Sequence, residues 1–230
     1  MKELENKKVI FFDVGYTLDR PASGDWMLTN RFFEAAGGKL VPYSTEQLGR
    51  AVRESFAVIS GSHLLTTTDE EVRQMSTLYR EISGRLCLGF TEDQIRDIAE
   101  DRTYNMENYI AYPDAREVLK ALSGRYRLGI ISDTWPSIRA QLRFLELDSY
   151  FSFTTFSCFV GAFKPDPKIF ADALNKCGCP PEETVFVDDS PINLKGAVQM
   201  GITPVLIAAN PASDVETPYR KIRSLSELLE

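Results

Sequence analysis

The apolar run Val9-Ile10-Phe11-Phe12 ends in Asp13, and Gly15 follows two residues later. Such a run reads as a buried strand that delivers a carboxylate to the rim of a sheet, where open α/β folds expose their reactive groups. Ser132 closes a second apolar run, and the adjacent pair Asp188-Asp189 closes a third, Val185-Phe186-Val187. Lys164 lies between these last two in chain order, just before Pro165. Neighbouring carboxylates at a strand end repel each other, so a bound cation explains why they are placed together. Three oxygen ligands completed by water and substrate suit Mg²⁺. Asp13 can be a nucleophile, a metal ligand, or both. Ser132 can donate its hydroxyl to a phosphate oxygen, and Lys164 can offset charge on the same group. These are the parts of phosphoryl transfer, in which alignment and cationic or hydrogen-bonding surroundings lower the barrier. Asp13 would attack phosphorus in line, and water would later cleave the aspartyl phosphate.

Taken singly, each residue has a blander role. Asp13 alone reads as a turn or cap residue, Lys164 as a solvated loop cation, and Asp188-Asp189 as a cap for the next helix. Asp133 reads as a helix-start residue rather than a catalytic acid. What favours chemistry is their joint order and their repeated position at strand ends.

The elements that must hold these groups follow from periodicity. Short apolar segments at 9–12, 128–131, 151–156, 184–187 and 202–207 alternate with helical patterns at 115–122, 138–145, 169–177 and 192–200. That alternation predicts an α/β fold with a Rossmann-like, doubly wound parallel sheet. Asp166-Pro167 and Ser190-Pro191 mark helix starts beside the site residues. Residues 21–110 contain no convincing strand and read as an inserted α-helical cap domain, with 1–20 and 111–230 forming the core domain. Leu48, Val52, Phe56 and Ile59 line one helix face, and Val72, Met75, Tyr79, Ile82 and Leu86 another. Both stripes read as packing faces. Ser44 with Gln47, Thr68 with Glu71, and Thr91 with Gln94 fit capping boxes. The insertion is expected to hinge near 19–24 and 111–114.

Composition narrows the class. The chain has 230 residues, 43% of them hydrophobic and 26% charged, which is ordinary for a globular protein. A net charge of −7 with dispersed basic residues argues against a nucleic-acid surface. No apolar run approaches the roughly 20 residues that span a bilayer. The opening residues lead into a strand rather than a signal-peptide apolar stretch, so a cytoplasmic location is expected. Cys87, Cys158, Cys177 and Cys179 lack zinc-type spacing and read as free thiols. His63, the single histidine, falls in an expected loop at 59–63 with no Ser or Cys motif to make a triad.

At its site residues the chain resembles the haloacid dehalogenase-like hydrolase superfamily, over essentially its whole length. Phe12-Asp13-Val14-Gly15-Tyr16-Thr17-Leu18 is similar to its first motif, Ile131-Ser132-Asp133-Thr134 to its second, Lys164-Pro165 and its flanks to its third, and Val187-Asp188-Asp189-Ser190, with Asn193 and Gly196-Ala197, to its fourth. The resemblance implies a phosphatase-type member with a helical cap after the first strand. It implies Asp13 as nucleophile, with Lys164 as its catalytic partner. It also implies Ser132, Lys164 and Thr17 on phosphate, and Asp13, the Gly15 carbonyl, Asp188 and Asp189 around Mg²⁺, with Asp189 the firmer ligand. Phosphatases of the family usually carry Asp where Gly15 stands, and Gly where Tyr16 stands. The missing acid should slow the reaction without abolishing it, since general acid-base catalysis contributes about 10² to 10⁴ in rate. Alternatives are a weakly active or noncatalytic binding protein and, with less support, a 2-haloacid dehalogenase. A small phosphorylated metabolite is the expected partner, without nucleic acid or membrane. Trp26, Arg31, His63, Tyr79 and Trp135 are possible pocket contacts.

Overall fold

In the computed structural model, which describes residues 2–61 and 63–230, β1 (Val9–Phe12) is wholly buried. Its side chains alternate between two apolar layers, as strand geometry requires. Ile10 and Phe12 join Val118, Leu119 and Leu122, whereas Val9 and Phe11 join Ile169, Phe170 and Leu194. A strand buried on both faces belongs in the middle of a helix-covered parallel sheet.

After β1 the chain runs through β2 (Asp19–Pro21), then α1 (Asn30–Ala36), α2 (Thr45–Ser60), α3 (Thr68–Arg85) and α4 (Glu92–Tyr104), and returns through β3 (Tyr109–Ala111). There follow α5 (Ala115–Ser123), β4 (Arg127–Ser132), α6 (Ile138–Phe144), β5 (Phe151–Phe156), the single turn α7 (Ser157–Val160) and α8 (Pro167–Cys177). The chain continues with β6 (Thr184–Asp188), α9 (Pro191–Gln199), β7 (Thr203–Ile207) and β8 (Arg220–Ile222). Six strands form one sheet in the order β5-β4-β1-β6-β7-β8, every pair parallel. β1 has β4 on one side and β6 on the other, with Phe12 opposite both Ile130 and Val187. Asp13, Ser132 and Asp188 are therefore delivered side by side at the carboxyl ends of three adjacent strands, the point where open α/β sheets bind ligands.

The expected strands and core helices are present with small shifts in their ends. Three details differ. β2 and β3 pair antiparallel, Asp19 opposite Ala111 and Pro21 opposite Tyr109, so a short ribbon stands where two hinges were expected. Each strand has three residues, too short to show a period. β8 is also short and carries Arg-Lys-Ile rather than an apolar run. The α3 capping box uses Thr67 and Glu70, one residue earlier than Thr68 and Glu71. This shift frees Glu71 to turn inward, where it is fully buried. The boxes at Ser44 and Thr91 form as expected.

Close backbone approach accounts for one glycine. A Cβ at Gly196 would lie 2.7 Å from Pro165 Cβ and 3.0 Å from Pro165 O. Only Gly lets α9 lie against the segment that carries Lys164. Among the described residues, no helix is long and apolar enough to cross a membrane. All four cysteines are free.

Candidate active site

The loop after β1 is shaped by Val14 O, which accepts hydrogen bonds from the N–H groups of Thr17, Leu18 and Asp19. Asp13 N–H donates to Val187 O across the sheet, which sets its carboxylate beside β6. Lys164 Nζ lies 2.8 Å from Asp13 Oδ1, 2.8 Å from Asp188 Oδ2 and 3.3 Å from Ile131 O. All three of its donors are engaged, and burial is outweighed by the surrounding carboxylates, which raise its pKa. Its backbone N–H donates to Asp133 Oδ1 at 2.9 Å.

Asp13, Asp188 and Asp189 each place an oxygen within 4.8 Å of the others. Their environments differ. Asp188 accepts from Ser190 N–H, from Asn193 Nδ2 on both oxygens, and from Lys164. Asp189 Oδ2 accepts from Ser213 Oγ at 2.8 Å, and the residue faces the adjoining cavity. Burial is the main cause that raises Asp188 to about 6 and Asp189 to about 7, and the other acids add to it. An all-oxygen donor set with that electrostatic demand fits a hard divalent cation.

The cavity has a volume of about 440 Å³ and is lined by Asp13, Gly15, Ser132 and Asp189, with aromatic side chains filling much of the remaining wall. Ser132 Oγ has no hydrogen-bond partner among the described residues, so it is available to a ligand. Lys164 stands behind this wall rather than in it. Thr17 does not join it. The turn on Val14 O places Thr17 in a separate cavity with Tyr112 and Pro113, where its buried Oγ1 is unpaired. Asp133 is no helix-start residue, because α6 begins five residues later; it lines the cavity, and burial raises it to about 6.

Gly15 faces Trp26. A Cβ there would meet Trp26 Cζ2 at 3.0 Å. Tyr16 has φ 55°, the left-handed region that favours glycine, and its ring meets Trp26 edge-on at 5.1 Å.

Of the possible pocket contacts, Trp26 and Trp135 line the cavity. Arg31 pairs with Asp97 on the surface, and Tyr79 is fully buried with its hydroxyl on Met27 O. His63 is also buried rather than in an exposed loop, stacked on Phe163 at 3.8 Å; its neighbour Ser62 lies outside the described residues. Its Nε2 is 2.7 Å from Ser157 Oγ, a partner unseen in the sequence, but Ser157 is fully buried and sealed from substrate. Burial lowers His63 to about 4, so the ring is neutral near pH 7.

Sequence reasoning missed Arg102, Glu71 and Gln141. Phe56, read as a packing residue, lines the cavity as well. Arg102 sits on the last turn of α4, its Nη1 2.8 Å from Tyr109 Oη and 3.4 Å from Glu71 Oε1, its Nε 3.1 Å from Trp26 O. Glu71 in turn accepts from Ser137 N–H and Oγ. A charged residue on each of two amphipathic helices looks like surface until both are seen to turn inward. The one available signal is helical spacing, which sets Glu71 on the face of Met75 and Leu78 and Arg102 on the face of Ile95, Ile98 and Ala99. Gln141 donates to Asp19 Oδ2 at 2.5 Å, and burial raises Asp19 to about 8.

Comparison with known proteins identifies the family. The family model "haloacid dehalogenase-like hydrolase" matches residues 7–201. A "Bifunctional epoxide hydrolase 2" from Sus scrofa is 26% identical over 219 residues, covering 84% of this chain and 38% of that protein. A "Glyceraldehyde 3-phosphate phosphatase" from Pyrococcus furiosus is 33% identical over 126 residues, 51% of this chain and 52% of that one. The chain thus spans about half or less of the length of these relatives. The crystal structure of a 2-haloacid dehalogenase from Pseudomonas syringae pv. Tomato superposes with a TM-score of 0.64 at 22% identity, covering 97% of this chain and 96% of that one, a likeness of fold. With the family model matching most of the chain, and the acidic trio standing at adjacent strand ends with Lys164 against two of its members, this protein belongs to the haloacid dehalogenase-like hydrolases.

Proposed function

We propose that the chain is a Mg²⁺-dependent phosphohydrolase that acts on a small phosphorylated metabolite through an aspartyl phosphate on Asp13. The observation that carries this reading is the acidic trio, whose oxygens lie within 4.8 Å of one another. Lys164 alone balances one of those charges, and a divalent cation meets the remaining demand. Asp13, Asp189, Asp188 and the Gly15 carbonyl would hold the ion, with Asp189 less committed to protein partners than Asp188. Bound there, Mg²⁺ supplies the neutralisation that lets an anionic carboxylate approach an anionic phosphate.

The chain's own residues supply the rest. Lys164 anchors Asp13 Oδ1 and fixes the carboxylate, leaving Oδ2 for attack on phosphorus. The new Oδ2–P bond forms as the ester P–O bond breaks, and the electron pair leaves on the departing oxygen. Water then cleaves the aspartyl phosphate, restoring Asp13 and releasing phosphate. Ser132 Oγ donates to a phosphate oxygen, and the aromatic wall excludes bulk water, which strengthens both contacts. Attack on carbon, the dehalogenase alternative, uses Asp13 but leaves the costly burial of Asp188 beside Asp189 without a purpose.

The test is phosphate release from sugar phosphates, nucleotides and acyl phosphates, with and without Mg²⁺, against Asp13→Asn. Release that needs both the ion and Asp13 is expected. Halide release from 2-chloropropionate without metal would move the assignment to a dehalogenase. Absence of both activities would favour a noncatalytic binding role.

A further inference from the structure

Among the described residues, Arg102 is the single cationic side chain in the cavity wall, although its side chain is only 6% exposed. Its guanidinium lies 5.2 Å from the Trp135 ring, Nε and Nη1 are committed to Trp26 O, Tyr109 Oη and Glu71, and Nη2 has no acceptor among the described residues. A buried arginine that lines the cavity thus keeps two N–H donors, on Nη2, without an acceptor among the described residues. Such donors hydrogen-bond a carboxylate about twice as strongly as a neutral acceptor.

The rest of the wall narrows the ligand further. Rings of Trp26, Phe56, Tyr109, Trp135 and Phe163 border a volume of about 440 Å³, which suits a flat apolar body. At the reacting end, position 15 is a glycine without an acidic group, and a Cβ there would come within 3.0 Å of Trp26 Cζ2. Residue 15 therefore gives no proton to a departing oxygen. The other carboxyls in the wall beside Asp13 are each held through one oxygen, Asp133 Oδ1 by Lys164 N–H and Asp189 Oδ2 by Ser213 Oγ.

We infer that the substrate is the phosphate monoester of a planar, acidic hydroxyl, a phenol or enol, bearing a carboxylate that Arg102 receives. The inference rests on the phosphohydrolase reading and specifies its leaving group. Asp13 Oδ2 bonds to phosphorus as the aryl O–P bond breaks, and the electron pair leaves as a stable phenolate that needs no proton in the transition state. Water then adds to phosphorus, the Asp13 O–P bond breaks, and the water's proton passes to solvent.

The experiment compares Mg²⁺-supported kcat/KM for phenyl phosphate, 4-carboxyphenyl phosphate and benzyl phosphate, the last retaining the ring but leaving as a poor alkoxide; acetyl phosphate is the control and Asp13→Asn the blank. Phenyl phosphate should exceed benzyl phosphate by about 10² to 10⁴-fold, the size of an absent general acid. The carboxylate should add about 10 to 100-fold over phenyl phosphate, and Arg102→Met should bring the ratio of 4-carboxyphenyl to phenyl phosphate turnover back to about one. Because Arg102 is buried and its replacement could unfold the protein, benzoate inhibition of the unmodified protein is a second measure. Benzoate should compete at least about 10-fold more tightly than benzyl alcohol. Equal turnover of benzyl and phenyl phosphate, or benzoate no tighter than benzyl alcohol, overturns the inference while leaving the phosphohydrolase reading intact. No Asp13-dependent release from any compound, acetyl phosphate included, overturns both.

Discussion

Gly15 illustrates how one residue sets the character of the site. Its missing Cβ lets the Trp26 indole lie close, so an aspartate placed at this position must push the ring aside, since its Cβ alone would come within 3.0 Å of Trp26 Cζ2. Gly15→Asp is expected to destabilise the protein by about 1–3 kcal/mol, the cost of overpacking, with no gain in turnover. Gly15→Asp combined with Trp26→Ala should relieve the clash, and thermal melts with alkyl phosphate assays on both variants would show it. Recovery of stability without the second substitution would mean that the indole moves aside freely.

At the scale of elements, the inserted helices are tied to the core by buried polar links. Glu71 on α3 holds Ser137, just ahead of α6, and also Arg102 on α4. Trp135 Nε1 donates to Gln74 at 2.7 Å, and His63 reaches Ser157. Burial raises the Glu71 pKa, and Arg102 with Ser137 offset part of that rise. Removing one member of a buried pair leaves the other charge uncompensated, so Glu71→Leu should cost about 3–5 kcal/mol in denaturant unfolding. Arg80→Ala, which breaks only the exposed pair with Glu92, should cost at most about 1 kcal/mol. Similar losses for the two variants would show that the Glu71 link is not a buried tie.

Across the whole molecule, the carboxyls gathered near the sheet's rim make stability depend on pH. Asp19, raised to about 8, and Asp133, raised to about 6, hold protons in the folded chain that they release near pH 4 when unfolded. The folded state binds more protons in that window, so stability contributed by each is present below about pH 4 and is lost as pH climbs through the raised value. Each contributes a slope of up to about 1.4 kcal/mol per pH unit. Asp19→Asn, of the same shape and without a charge, should flatten the fall between about pH 4 and pH 8, as chelator-treated melts across that range would register. An unchanged slope would remove Asp19 from the account. Mg²⁺ acts in the other direction. If it binds the acidic trio, at a hundred times its Kd it should stabilise by about 2.7 kcal/mol, and chelation should reverse this. Asp189→Asn should abolish the shift; a shift that persists in that variant would place the ion elsewhere.

Period and punctuation in the sequence determined the parallel sheet, because Val9–Phe12, Arg127–Ser132 and Thr184–Asp188 each carry enough buried apolar residues to be strands on local grounds. They determined that Asp13, Ser132 and the Asp188-Asp189 pair meet at one rim, since parallel strands share a carboxyl end. The inserted helices were legible from spacing of three and four, but the ribbon of Asp19–Pro21 with Tyr109–Ala111 was not, because three residues cannot display a period. Thr17 was misplaced because side-chain direction in a turn depends on the backbone of its neighbours, Tyr16 at positive φ among them. The tertiary structure alone decided that Trp26 fills the space beside Gly15, that Glu71 and Arg102 turn inward, and that Arg102 shares a cavity with Asp13. These contacts join residues far apart in the chain, and the energy of burying a charge depends on partners that only folding brings near.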